Sequence, residues 1–362
     1  LKTGTLVAGD KVWVKVNMSQ PVLVTGQPTY TIDVGGARKS AVYDANLSTN
    51  TQMVFVYTVK SGDLDATGGI TAAASALVNT ASSTIKDAAG NAADLSVAAI
   101  TAGTNTLSVD AVTPTVQSVS LVSTAGTDNT YKAGDDILVD VQFSEAVNVG
   151  IGTDGKPPYI NIKVGSSLVQ AQYVSGTGSN TLRFKYTVAA GDNDTDGVSI
   201  NANSLTLGDG TATILDAAGN AARLQFSTAL SDNASHLVDT TAPVVTITRA
   251  GSHVLSTVSA AATDTLTFTF SESIDTSTFT REDIVISGSA GTISGLTRQG
   301  TPGNWTNTWT ATFTPASGKS GDYTVSIAAG ALKDLAGNDN AASNTLTLSI
   351  DTTPPDTPTL VL

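Results

Sequence analysis

The residues best placed to do chemistry are the carboxylates of Asp192-Asn-Asp194-Thr-Asp196-Gly197. Oxygens at alternate positions, closed by a glycine that permits a sharp turn, form the front half of a calcium loop. The bidentate glutamate that would complete such a loop at its twelfth position is absent and Asn203 stands there, so the missing ligand is expected from a neighbouring unit. A shorter version, Asp63-Leu-Asp65-Ala-Thr67-Gly68, lies nearer the N-terminus. Other chemistries lack their residues. With no cysteine there is neither a thiolate metal site nor a thiol nucleophile, and His236 and His253 alone make no zinc cluster. A nucleophile elbow, a P-loop and a dinucleotide fingerprint are all missing from the sequence. The chain therefore reads as a non-enzyme, with both histidines at the surface. Paired aspartates can hydrolyse glycosides, but here they recur at equivalent places along the chain, which reads as structural.

Charge points the same way. A net charge of −13 and a pI near 4.4 disfavour nucleic acid, whose phosphates need clustered Lys and Arg, and favour divalent cations. Of the 31 acidic residues only Glu145, Glu272 and Glu282 are glutamates. Aspartate prefers turns and loop ends, so the negative charge is expected on loops. The hydrophobic fraction of 40% is enough for a core, and its Val, Ile and Leu are set among Thr, Ser and Gly, which favours pleated sheet over helix. No apolar run approaches the roughly 20 residues that span a bilayer, so no membrane insertion is expected in this segment. No basic-then-apolar leader is present either, so export is expected to be encoded elsewhere.

The elements that must position these carboxylates come from internal repetition. Asp87-Ala-Ala-Gly90-Asn91, Asp216-Ala-Ala-Gly219-Asn220 and Asp334-Leu-Ala-Gly337-Asn338 are three copies of D-x-A-G-N. Each is followed by a linker that begins with aspartate and ends in proline: Asp110-Ala-Val-Thr-Pro114, Asp239-Thr-Thr-Ala-Pro243 and Asp351-Thr-Thr-Pro-Pro355. Alternating strands recur between these markers, with Phe55, Tyr57 and Val59 answering Phe184, Tyr186 and Val188, and Leu266, Phe268 and Phe270 answering Val139, Val141 and Phe143. The spacing predicts an all-β chain of tandem immunoglobulin-like β-sandwich repeats forming an extended rod. The repeats are expected at 1–112, 113–241 and 242–354, with 355–362 the start of a following one. The first repeat lacks the opening strand that 115–125 supply to the second, so the segment reads as part of a longer array. At about 35–40 Å per repeat, three would span somewhat over 100 Å.

Strand parity fixes where the loops fall. Ser144-Glu145 ends a second strand and D-x-A-G-N precedes a last one, so both should face the preceding repeat. The Asp192 loop should sit at the opposite pole, beside the exit linker. Calcium shared at the junctions follows: Asp63, Asp65, Thr67, Asp110, Glu145 and Asp216 at the first, and Asp192, Asp194, Asp196, Asp239, Glu272 and Asp334 at the second. Without a cation these carboxylates would repel one another; with one the linker would be neutralised and stiff. Asp, Asn and Gly are also ordinary turn residues, and D-x-A-G-N reads equally as a turn with its glycine in the left-handed region. The third repeat has Ser317-Gly-Lys319-Ser-Gly321 at the loop position, so its exit is expected to bind calcium weakly or not at all.

Phe143-Ser-Glu145, Phe270-Ser-Glu272, Asp196-Gly-Val-Ser-Ile200, the D-x-A-G-N loops, Ala328-Ala-Gly-Ala-Leu332 and the linkers at Asp239 and Asp351 together resemble the bacterial immunoglobulin-like repeats of large RTX-type adhesins and biofilm proteins exported by type I secretion. The first repeat departs from the pattern with Ser19-Gln20 in place of Ser-Glu. The resemblance implies a calcium-binding extender at the extracellular bacterial cell surface that holds a ligand-binding tip away from the cell. Its partners would be neighbouring repeats of the same chain, and the segment itself would be a monomer. The alternative is a glycan- or protein-binding module of the same adhesin, with Trp305, Trp309 and Tyr323 as a stacking face or the loop at 152–158 making contacts. A tryptophan two positions from an alternating strand more often packs in the core.

Overall fold

The computed structural model describes residues 4–65, 68–208, 210–251, 254–255 and 263–360. It is all-β, with strand at 48% and helix at 2%. Three separate hydrophobic cores follow one another along the chain, the first built from residues between Leu6 and Ala111, the second between Tyr131 and Val238, the third between Val245 and Ile350.

Each core lies under strands whose residues alternate in burial. In Lys11–Asn17 every second residue is buried, so Val12, Val14 and Val16 face inward while Lys11, Trp13, Lys15 and Asn17 face out. In the first repeat the larger sheet runs Lys11–Asn17, Gln52–Thr58, Ala37–Tyr43, Thr29–Val34, Leu77–Val78. The second repeat keeps this order and adds Val116–Leu121 outside Asp136–Gly150. The third likewise has Val245–Arg249 outside Asp264–Phe270. Among the described residues the first repeat has no such outer strand: Lys11–Asn17 pairs with Gln52–Thr58 alone.

A smaller sheet faces the larger one and carries the linker. In the second repeat it is Thr130–Tyr131, Leu237–Asp239 and Asn193–Asp194, the first pair parallel and the second antiparallel. The first repeat repeats it with Thr5–Leu6, Ser108–Asp110 and Leu64–Asp65, and in the third Leu255 bridges Ile350 in the same parallel sense. The acidic loops are therefore bonded directly to the strands that end in Asp110 and Asp239. This arrangement positions the site.

His236 is structural. Its Nδ1 lies 2.9 Å from the Tyr131 hydroxyl and its ring stacks on that tyrosine. His253 lies outside the described residues. Trp309 is 9% exposed and packs edge-on against Phe279, inside the third core. Trp305 is exposed on the long hairpin of Gly291–Thr301 and Asn304–Pro315.

Candidate functional site

The D-x-A-G-N loop is a turn that braces itself. Gly90, Gly219 and Gly337 all have positive φ, a region where only glycine is unstrained. In the second repeat the Asp216 carboxylate accepts the backbone N–H of Gly219 and Asn220 and the side-chain amide of Asn220 at 2.7–2.8 Å. Asp334 accepts the same two groups from Asn338 at 2.8 Å. Both aspartates are buried. The turn reading of this motif and the placement of its aspartate are thus one arrangement: the bonds that close the turn fix where the carboxylate points.

It points at the preceding repeat. Oxygens of Asp110, Glu145 and Asp216 lie within 4.8 Å of one another, and so do those of Asp239, Glu272 and Asp334. In each trio the first member ends one repeat and the other two belong to the next. The asparagines, which the sequence reading passed over, bridge the same gap: Asn220 Nδ2 donates to the Asp110 carbonyl at 2.8 Å and Asn338 Nδ2 to that of Asp239 at 2.9 Å. The signal for them was the final Asn of every D-x-A-G-N copy. A second bridge comes from the serine before each glutamate. Ser144 and Ser271 exchange paired bonds with Thr115 and Val244, the fifth residue after each linker aspartate.

The electrostatics of the trios are unfavourable as they stand. Burial first, and then the charges of Asp239 and Asp334, push the Glu272 carboxyl up to about 7. Glu145 is raised for the same reasons, with Asp110 and Asp216 as its neighbours. Glu272 Oε1 is buried and has no hydrogen-bond partner, an arrangement that ordinarily costs about 1–3 kcal/mol and more for a charged group. A cleft of about 570 Å³ opens beside it, lined among others by Asp194, Asp239, Glu272 and Asp334. Clustered carboxylate oxygens, one of them buried without a donor, fit a hard divalent cation.

The acidic loops take other partners. Asp63 accepts the Tyr57 hydroxyl, the Lys60 N–H and the Lys39 ammonium at 2.5–2.8 Å, and Asp192 accepts the Tyr186 hydroxyl and the Ala189 N–H at 2.6–2.8 Å. Each closes the tight turn after its own strand. Asp65 is buried in the smaller sheet of the first repeat, and Thr67 lies outside the described residues. Asp194 is 2% exposed and accepts the N–H groups of Gly165 and Gly197 at 2.7 Å. Glycine is required at both donors, because a Cβ on Gly165 would stand 2.3 Å from the Asn193 carbonyl and one on Gly197 would stand 2.1 Å from that of Asn233. Asp196 lies beside Asp194 and Asp232, and Asp232 pairs with Lys163. The structure therefore brings six of the named residues together as two trios and gives Asp63, Asp192 and Asp194 bonds within their own repeats.

This separation is testable. Asp194→Ala leaves the buried Gly197 N–H and the part-buried Gly165 N–H unpaired, and is expected to cost the second repeat about 2–4 kcal/mol. Urea unfolding should show the same loss with calcium and with chelator. A loss that appeared only with calcium would make Asp194 a ligand instead.

Residues 239–350, the third repeat, match a family described as bacterial Ig-like domain. No curated protein matches the chain. Among solved structures it is similar to FdeC, an Escherichia coli adhesin, at 13% identity over 95% of this chain and 93% of that one, with a TM-score of 0.31. It is also similar to the N-terminal eight Ig domains of Down Syndrome Cell Adhesion Molecule, at 11% identity over 97% of this chain and 36% of that one, with a TM-score of 0.24. At these scores the superpositions add nothing to the fold already described.

Proposed function

We propose that this chain is an extender segment of a bacterial surface adhesin, in which calcium bound between consecutive repeats holds a ligand-binding tip away from the cell. The observation that carries the reading is the double occurrence of one arrangement: an aspartate from the end of a repeat meeting a glutamate and an aspartate from the next, with Glu272 Oε1 buried and unpartnered. Asp110, Glu145 and Asp216 would hold one ion and Asp239, Glu272 and Asp334 the other. Calcium takes oxygen ligands and tolerates irregular geometry. When bound, it would supply the positive charge that cancels the repulsion within each trio, so that two repeats share one rigid contact instead of a hinge. The match of the third repeat to bacterial Ig-like domains supports a surface or extracellular location; the RTX-type array rests on the resemblance of the repeated motifs alone.

Small-angle scattering of the chain with calcium and with chelator tests the reading. The chelated chain is expected to show a shorter maximum dimension and a broader distance distribution, because freed junctions let the repeats fold back on one another. Superimposable curves would refute it.

A further inference from the structure

We propose that the outward surface of the larger sheet of the first repeat binds an acidic polysaccharide, one that carries carboxylates spaced along a chain of sugar rings.

Positive charge is gathered in this repeat. Residues 1–112 hold seven Lys and Arg against eight aspartates, a net of −1, whereas 113–362 hold eleven against 23 acidic residues, a net of −12. Four of the seven cations stand on one surface. Lys11 and Lys15 point outward from Lys11–Asn17, Arg38 from Ala37–Tyr43 and Lys60 from just beyond Gln52–Thr58, and all four are exposed. None of them has an ion-pair partner among the described residues.

The second repeat shows what this arrangement replaces. There Asp136 and Asp140 occupy the positions of Lys11 and Lys15, and they pair with Lys185 and Arg183 at 2.7–3.1 Å. Val56 and Val54 stand where Lys185 and Arg183 would be. Ion pairs that neutralise the surface of one sheet have thus become uncompensated charge and apolar carbon on the other. The third repeat has Thr265 and Thr267 in place of Trp13 and Lys15, so the combination belongs to the first repeat alone. These side chains leave the sheet perpendicular to its strands, as Asp136 and Asp140 do where Val116–Leu121 pairs beside them. Pairing along the edge of Lys11–Asn17 does not redirect them.

Between the cations runs an apolar row. Trp13 sits opposite Val56, Val56 opposite Val42 and Val42 opposite Thr29, with Trp13 39% and Val42 38% exposed. At about 4.8 Å per strand the row is about 14 Å long. Lys15 lies on one side of it and Lys11, Lys60 and Arg38 on the other, where a hollow of about 420 Å³ is lined among others by Arg38, Ser40, Val42, Val56, Thr58 and Lys60. The two carboxylates bordering this surface are engaged in turns: Asp33 accepts the Gly36 N–H at 2.7 Å and Asp44 that of Asn46 at 3.0 Å.

Each feature matches one part of a sugar acid. The C–H face of a pyranose ring can lie on the exposed indole of Trp13, the hydroxyls of Ser40 and Thr58 can bond to ring hydroxyls, and the cations pair with carboxylates, Arg38 through its planar fork. A sparse polyanion also suits the rest of the chain. Duplex nucleic acid presents a charge about every 1.7 Å, and four cations on a molecule of net charge −13 do not offset the repulsion such a density meets. Carboxylates separated by whole rings meet less of it. The surface lies on the flank of a repeat and not at a junction, so it is independent of the calcium reading.

Titration calorimetry of the full chain with alginate oligosaccharides tests the proposal, in excess chelator and at about 50 mM salt, where exposed charges are only partly screened. Binding with a Kd of about 0.1–1 mM is expected, and none to dextran, which has similar rings without carboxylates. Lys60→Glu and Trp13→Ala should each weaken binding about tenfold or more, with unchanged circular dichroism showing that the repeat still folds. Lys86→Glu makes the same change in net charge on the separate ribbon of Leu23–Thr25 and Thr84–Lys86, and should weaken it less than about twofold. No binding of alginate, equal binding of dextran, or equal weakening by Lys86→Glu would overturn the proposal. Tighter binding of a single-stranded oligonucleotide of equal charge would overturn it in favour of nucleic acid. Self-association in sedimentation that Lys60→Glu abolished would assign the surface to a second copy of the chain instead.

Discussion

Asp334→Ala is expected to destabilise the third repeat by about 3 kcal/mol in chelator and to abolish its stabilisation by calcium. The carboxylate is 2% exposed and accepts two bonds from Asn338, whose amide in turn holds the Asp239 carbonyl. Bonds to a charged acceptor contribute about 1.5–3 kcal/mol each. The opposing effect is relief of repulsion on Glu272 and Asp239, about 1–4 kcal/mol per close pair in an unscreened surface setting and less once salt and partial exposure act. The loss of bonds wins, because the turn that presents Asn338 opens with it. Urea denaturation monitored in chelator and in calcium reads both effects. Asp216→Ala should reproduce the result at the first junction and leave the second responsive. Wild-type stability in chelator would show that the loop does not depend on its aspartate.

Glu272→Gln should have opposite signs in the two conditions. In chelator the Glu272 carboxyl, held at about 7, is about half charged at neutral pH and fully charged by about pH 8 beside two aspartates, and the amide keeps its shape without the charge. A carboxyl held at about 7 against an ordinary 4.5 corresponds to a few kcal/mol for a fully buried group. Partial exposure of Glu272 screens that, leaving about 1–2 kcal/mol of stabilisation. With calcium at about 100 times its Kd the wild type gains about 2.7 kcal/mol, most of which the amide forfeits. The pH dependence has a definite sign. The unfolded chain releases this proton near 4.5 and the folded chain near 7, so between those values the folded state binds more protons and loses stability as pH rises. Other aspartates, such as Asp136 and Asp275, are shifted down and act the other way. The measurement is therefore the difference between wild type and Glu272→Gln in chelator. It should be small near pH 5 and grow to its full value by about pH 8. A difference independent of pH would remove Glu272 from the electrostatics of the junction.

The strands and their repetition were legible because alternation is a local property: Val12, Val14 and Val16 announce an inward face whatever surrounds them. Strand parity alone assigns Ser144, Glu145 and the Asp216 loop to one pole, and the structure brings Glu145 and Asp216 beside Asp110. The acidic loop was harder. Its alternating carboxylates match a calcium loop in one dimension, but Asp194 finds the Gly165 N–H, which is 29 residues away and brought near only by the fold. Asp63 and Asp192 were taken up by tyrosines of their own hairpins, partners six residues distant that belong to the core face of the same strand. A motif lists donor atoms; it does not say which neighbours compete for them.

The parallel pairs that recur in the smaller sheets, Thr5–Leu6 with Ser108–Asp110 and Thr130–Tyr131 with Leu237–Asp239, bear on how tension passes through the molecule. A pull on the two ends drags the partners of each pair past one another along their length. The hydrogen bonds between them must then yield together, whereas an antiparallel hairpin opened from its free end would release them singly. Stretching force thus meets each repeat in its most resistant direction.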